Sequence, residues 1–134
     1  MKNTVLYRLI SFSYLHNQPP EADLLFDVRR TMHEPPVFAG DLAGVDGRDH
    51  EVQQAVMAHP TAEAVVHLGT VFADTMSFQD KSCVIAIGCS HGRHRSVALV
   101  ERLASELARF GLPTDVRHMR LELLENPPAG GGVG

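Results

Sequence analysis

Apolar residues follow two rhythms along this chain. Residues 4–14 are rich in Val, Leu, Ile, Tyr and Phe, a β-branched and aromatic run that predicts a strand. His16-Asn-Gln-Pro-Pro20 predicts a turn. Residues 24–28 form a second short apolar run, ending in Asp27-Val28-Arg29. Cys83 to Ile87 is a third, short and β-branched enough for a buried strand. It breaks at Gly88 and Gly92. From Ser96 the period becomes helical, with Val100, Leu103, Leu107 and Phe110 on one face, until Gly111 and Leu112-Pro113 stop it.

Two helices are predicted between the second and third strands. The first covers residues 49–59, with Asp49 as N-cap, Val52 and Val56 inward, and Pro60 as its end. Thr61 caps the second, with Glu63 in its first turn. Its core stripe is Val65, Leu68 and Phe72, extended by Val66 or Met76. Residues 30–49 read as loop, because Pro35-Pro36 forbids helix and Gly40, Gly44 and Gly47 punctuate the rest. A loop of that length in a compact domain is usually functional. Residues 114–121 predict a last strand. Arg117, His118 and Arg120 make it polar for a core position, so it is an edge strand or lines a site. The Pro- and Gly-rich end predicts a disordered tail over residues 123–134, leaving residues 1–122 as one domain. Alternating strands and helices give an α/β fold, a small mostly parallel sheet flanked by helices. Right-handed crossovers place the 88–95 loop at the sheet's C-terminal edge.

Composition narrows the classes. A length of 134 residues suits one domain with a real core. The formal net charge of −4 leaves no general basic footprint for nucleic acid, although the eight histidines would raise it below about pH 6.5. No apolar run reaches membrane-span length, and Arg8 interrupts the only apolar stretch that could mimic a signal peptide. Cys83 and Cys89, six residues apart on one strand, would not pair without distortion, so a reducing cytoplasm is expected.

The chemistry concentrates in Cys89-Ser-His-Gly-Arg-His-Arg95-Ser96. A strand, a Gly-containing loop and a helix aim loop amides and a helix N-terminus at one spot that favours an anion. His91, Arg93, His94 and Arg95 add donors, and a guanidinium can grip a phosphate with two parallel hydrogen bonds. We read a phosphate-binding βα loop. The same letters spell C-x-x-G-x-x-R-S, similar to the signature loop of cysteine-dependent phosphatases. There a thiolate attacks phosphorus and the arginine clamps its oxygens. In that reading Cys89 and Arg95 are catalytic, yet Gly88 replaces the histidine that precedes the cysteine, and neither Asp74 nor Asp80 sits in a recognisable acid loop. Cys89, His91 and His94 as metal ligands would be opposed by the adjacent arginines, and no second pair completes the set. A nucleotide P-loop fails, because no G-x-x-x-x-G-K-[ST] is present. The bland alternative is a tight turn with solvated Arg and His, but cations near a helix N-terminus are unfavourable without an anion. Nothing here calls for a cofactor or a metal. Asp27 and Arg29, at a strand's C-terminal end, lie where open α/β sheets place ligands; on spacing alone they also fit a plain surface pair.

Several separated blocks point to one family. Ser11-Phe-Ser-Tyr14, residues 22–29 with Phe26-Asp27-Val28-Arg29, Gly44-Val45-Asp46 and residues 86–97 resemble the C-terminal domain of the RapZ RNase adapter proteins, a likeness running from about Ser11 to Glu122. The resemblance implies a non-catalytic domain that senses glucosamine-6-phosphate and binds small regulatory RNAs. By motif, the phosphate-side residues would be Ser90, His91, Gly92, His94, Arg95 and Ser96, beside Cys89, Asp27 and Arg29. His33 is a candidate for the family's sugar-contacting histidine. The family's basic C-terminal end is replaced here by a stretch with two Glu and no Lys or Arg from residue 121 onward. RNA binding should therefore be weak unless the chain forms a homo-oligomer that pools Arg8, Arg29, Arg30, Arg117 and Arg120. Arg117 and Arg120 are the candidate RNA contacts. The expected partners are a sugar phosphate or another phosphorylated small molecule, then a small RNA, with no membrane.

Overall fold

The computed structural model describes residues 5–33 and 44–127. Eight elements run in the order β1 (Tyr7–Ser13), β2 (Leu24–Asp27), α1 (His50–Met57), α2 (Pro60–Ser77), β3 (Cys83–Cys89), α3 (Arg95–Arg109), β4 (Thr114–His118) and α4 (Met119–Glu125). The four strands form one parallel sheet in the order β2-β3-β1-β4. This is the expected α/β fold. β3 and β1 occupy the middle and are buried along nearly their whole length, which is why both lack polar alternation. β4 is an edge strand, as its polarity suggested.

The two faces are covered unequally. Tyr7, Leu9, Ile85 and Ile87 pack against α1, α2 and α3 in the main core. α3 is the keystone, with Leu99, Leu103 and Leu107 fully buried, and each such side chain stabilises the fold by about 1.5–3 kcal/mol. The other face holds a smaller cluster of Ile10, Phe12 and Ala86, covered by Tyr14, Ala22 and Met119.

Several expectations need correction. Thr61 does not cap α2: His59 is the N-cap, its Nδ1 accepting from the Thr61 amide at 3.1 Å, and Pro60 opens the helix rather than merely ending α1. Asp49 does hold the N-cap position of α1, but its carboxylate accepts from the Asp46 amide instead. The core face of α2 is Ala62, Val65, Val66, Gly69 and Ala73, whereas Leu68 points outward. Phe110 likewise lies on the surface. The last strand stops at His118, and Met119–Glu125 is helical, so Arg120 stands on α4 and residues 123–125 of the expected tail are helix. Of the expected 30–49 loop, residues 34–43 lie outside the described residues, as do residues 128–134 of the tail.

Candidate anion-binding site

Because every strand is parallel, the ends of β1, β2, β3 and β4 all reach one edge of the sheet, where α/β folds place ligands. The β3–α3 loop, with Cys89 through Ser96, stands at its centre. Ser13 pins it from β1: the Ser13 hydroxyl donates to the Ser90 carbonyl at 2.7 Å, and the Tyr14 and Leu15 amides donate to the carbonyls of Cys89 and Ser90. Gly92 turns the loop with φ +70°, and a Cβ there would lie 2.7–2.9 Å from Ser13 atoms. Only glycine meets both demands.

Cys89 Sγ is the hub. It accepts from the Gly92 amide at 3.3 Å and the Ser96 amide at 3.4 Å, and the thiol donates to Ser96 Oγ at 3.2 Å. Both residues are buried. The other thiol, Cys83, is pushed up to about 11 by burial, which leaves it protonated and inert at neutral pH.

On the far side the loop meets residues 45–47. The Gly47 amide donates to the Arg93 carbonyl at 2.7 Å, and a Cβ on Gly47 would collide with the His94 carbonyl and the Ala98 amide. His94 Nε2 lies 2.9 Å from the Val45 carbonyl, so that nitrogen carries the hydrogen. Arg95, the first residue of α3, is only 5% exposed. Its Nη1 donates to the Met32 carbonyl at 2.6 Å, while its Nε has no partner. Among the described residues no carboxylate pairs with Arg95, and the first turn of α3 carries no acidic residue.

The remaining expected residues divide. Ser90 is partly exposed and His91 exposed at the loop's rim, and His33 is exposed after the β2 turn. Asp27 and Arg29 are occupied with each other through two side-chain bonds of 3.0 and 2.7 Å. The Arg29 guanidinium holds the Asp27 carboxyl below its usual range and lies 3.6 Å over the Tyr14 ring. That pair belongs to the Tyr14 side of the sheet, while Arg95 reaches towards Met32 in the main core. Arg117 is bonded to Glu122 at 3.0 Å.

Sequence reasoning did not assign roles to Ser13, Met32, Val45 or Gly47. A serine at an inward position of a buried strand was a signal for Ser13; Met32 and Val45 act through backbone carbonyls, which leave no trace in residue type. A second hydrogen-bonded group was also missed: His118 lies 2.7 Å from Ser11 Oγ and 2.8 Å from Glu101.

A sequence profile of the RapZ C-terminal domain matches residues 5–122. Among curated relatives, a nucleotide-binding protein of Synechococcus sp. (strain JA-3-3Ab) is 37% identical over 81% of this chain and 33% of its own length. Another from Desulfovibrio desulfuricans is 36% identical over 86% of this chain and 38% of its own. A third from Rubrobacter xylanophilus is 40% identical over 85% of this chain and 40% of its own. The chain thus spans about two fifths or less of the length of these relatives. Among the described residues no helix is long and apolar enough to cross a membrane. With the profile covering nearly all of the described fold, this chain belongs to the RapZ C-terminal domain family.

Proposed function

We propose that this domain binds a sugar phosphate, or a similar phosphorylated small molecule, at the β3–α3 loop, and that it works there as a non-catalytic regulatory sensor. The observation that carries the reading is Arg95. A guanidinium buried at a helix N-terminus, with one carbonyl partner and a bare Nε, is unfavourable on two grounds, desolvation and the helix dipole. An oxyanion at the loop relieves both. Ser90 and His91 at the rim supply further donors, and the resemblance to RapZ makes glucosamine-6-phosphate the first ligand to try. The compartment that suits two free thiols is the cytoplasm. In a thermal-shift assay glucosamine-6-phosphate should raise the melting temperature, and Arg95→Ala should abolish the shift while the protein still unfolds cooperatively. A melting curve unmoved by sugar phosphates, inorganic phosphate and sulfate alike overturns the reading.

One observation favours a second reading, hydrolysis of a phosphomonoester with Cys89 as nucleophile. Its sulfur receives two loop amides and lies beside Ser96 Oγ at the α3 N-terminus, an arrangement that suits a thiolate. The acid is the weak point. Asp27 is held ionised by Arg29. Burial pushes the Asp46 carboxyl up, but hydrogen bonds from Arg48 outweigh it. Neither is a ready proton donor, so binding is favoured over turnover. Hydrolysis of an aryl phosphate that disappears in Cys89→Ser would reverse that order.

A further inference from the structure

The turn at residues 45–48 is held between the anion loop and α4. On one side the Gly47 amide donates to the Arg93 carbonyl at 2.7 Å, and His94 Nε2 donates to the Val45 carbonyl at 2.9 Å. The approach is close, because even a Cβ on Gly47 would strike the His94 carbonyl and the Ala98 amide. On the other side the Arg48 guanidinium donates to Glu125 Oε2 at 2.6 Å, on the last residue of α4. Its Nε and Nη2 also fork onto the two carboxylate oxygens of Asp46, at 3.0 and 2.8 Å. The Arg48 amide donates to Asp46 Oδ1, and the Asp46 amide donates to Asp49 Oδ2. These bonds close the turn on itself, so that a shift at Val45 or Gly47 carries Arg48 with it.

α4 is an element that such a connection can move. It has seven residues, and Leu121 alone of its side chains is buried. A helix that short does not persist by itself, so its order depends on how its ends are tied. His118, at its N-cap, is fixed between Ser11 and Glu101. Its C-terminal end is tied to the turn through Glu125 and Arg48. An element with so little buried surface opens locally at low free energy. α4 therefore has two accessible arrangements, docked and with its last turn released.

We infer that Arg48 couples the anion loop to α4: an occupied loop holds the helix docked, and a released helix weakens the loop's hold on its ligand. The inference rests on the reading of the loop as an anion site and adds how that site is regulated. An anion draws the loop amides and Arg95 around itself, and so orders the Arg93 carbonyl and the His94 ring that grip residues 45–47. With the turn already ordered, bringing Arg48 to Glu125 costs less conformational entropy, and the two events favour each other. The coupling is reciprocal: the factor that the ligand gives to docking, docking gives to the ligand. The Arg48 and Glu125 side chains are 43% and 52% exposed, which keeps that factor modest.

Hydrogen exchange of the full chain with and without glucosamine-6-phosphate, beside calorimetric titration of the same ligand, tests it. In the wild type the ligand should slow exchange both in residues 89–96 and in α4. In Arg48→Ala it should still slow the loop but no longer α4, and its affinity should fall by about two- to fivefold. Glu125→Ala, a change on α4 itself, should weaken the ligand by a similar factor. The double variant should lose little more than Arg48→Ala alone, because both substitutions break one contact. All variants should unfold cooperatively, which separates the effect from a general loss of fold. A wild type that binds the ligand while α4 exchange stays unchanged, or an affinity indifferent to both substitutions, overturns the coupling and leaves the anion site standing. A wild type that binds neither glucosamine-6-phosphate nor inorganic phosphate overturns the anion site and the coupling with it.

Discussion

Cys89 shows how much one atom can organise. His94 occupies the N-cap of α3 without supplying a side-chain cap, because its ring is turned to Val45. The Ser96 amide, which a capping side chain would normally take, is met by the Cys89 sulfur instead. Cys89→Ala leaves the Gly92 and Ser96 amides without that acceptor in a buried place, and should lower stability by about 1–3 kcal/mol. Cys89→Ser should recover much of the loss, as measured by urea denaturation. Asp27 provides a pH handle on the neighbouring turn. The Arg29 side chain holds its carboxyl below the usual range. A carboxyl whose folded pKa is depressed contributes stability that is fully present above its unfolded pKa and is lost as pH falls through the folded one. The pair is partly exposed, so solvent screening keeps its contribution small. The difference in urea midpoint between wild type and Asp27→Asn should therefore be present near neutral pH and shrink in acid. A gap that persists in acid would point to packing rather than charge.

At the scale of elements, α3 is bracketed by Gly92 and Gly111, both with positive φ. Their surroundings differ, so their substitutions should differ. A Cβ on Gly111 meets nothing within 4 Å, and Gly111→Ala should cost only the left-handed backbone term of about 1–2 kcal/mol. A Cβ on Gly92 runs into the Ser13 backbone, so Gly92→Ala should be clearly more destabilising and should also disturb ligand binding at the loop. Equal losses in thermal denaturation would show that the loop can yield. The elements whose sequence was misread have physical explanations. The stripe of α2 was placed by side-chain size, yet its core face passes through Gly69, where the Leu103 side chain fills the space. Met119–Leu121 was read into the last strand, although Met, Arg and Leu are strong helix formers and β1 pairs with β4 no further than His118.

For the whole molecule, charge and its pairing decide what else can bind. The net charge is −4, and three of the arginines that might be pooled for RNA are already matched: Arg8 with Asp115, Arg29 with Asp27, and Arg117 with Glu122. RNA affinity follows the phosphates neutralised. Gel shifts with a structured small RNA should show weak binding with a shallow salt slope for the monomer, reduced further by Arg117→Ala with Arg120→Ala, while sugar-phosphate binding persists. Tight binding that survives moderate salt in the double variant would place the RNA surface elsewhere. Sequence alone determined the parallel α/β architecture and the loop as the centre of interest, because period, strand composition and the glycines that end a strand and open a helix are local properties. It also singled out Arg95 and Cys89 by residue type. Only the tertiary structure decided what those residues face. Whether Arg29 is engaged by Asp27, whether Arg95 is left with a bare nitrogen, whether the Cys89 sulfur caps α3, and which side of α2 is left uncovered all depend on groups brought together from distant parts of the chain, and on carbonyls that carry no residue signature.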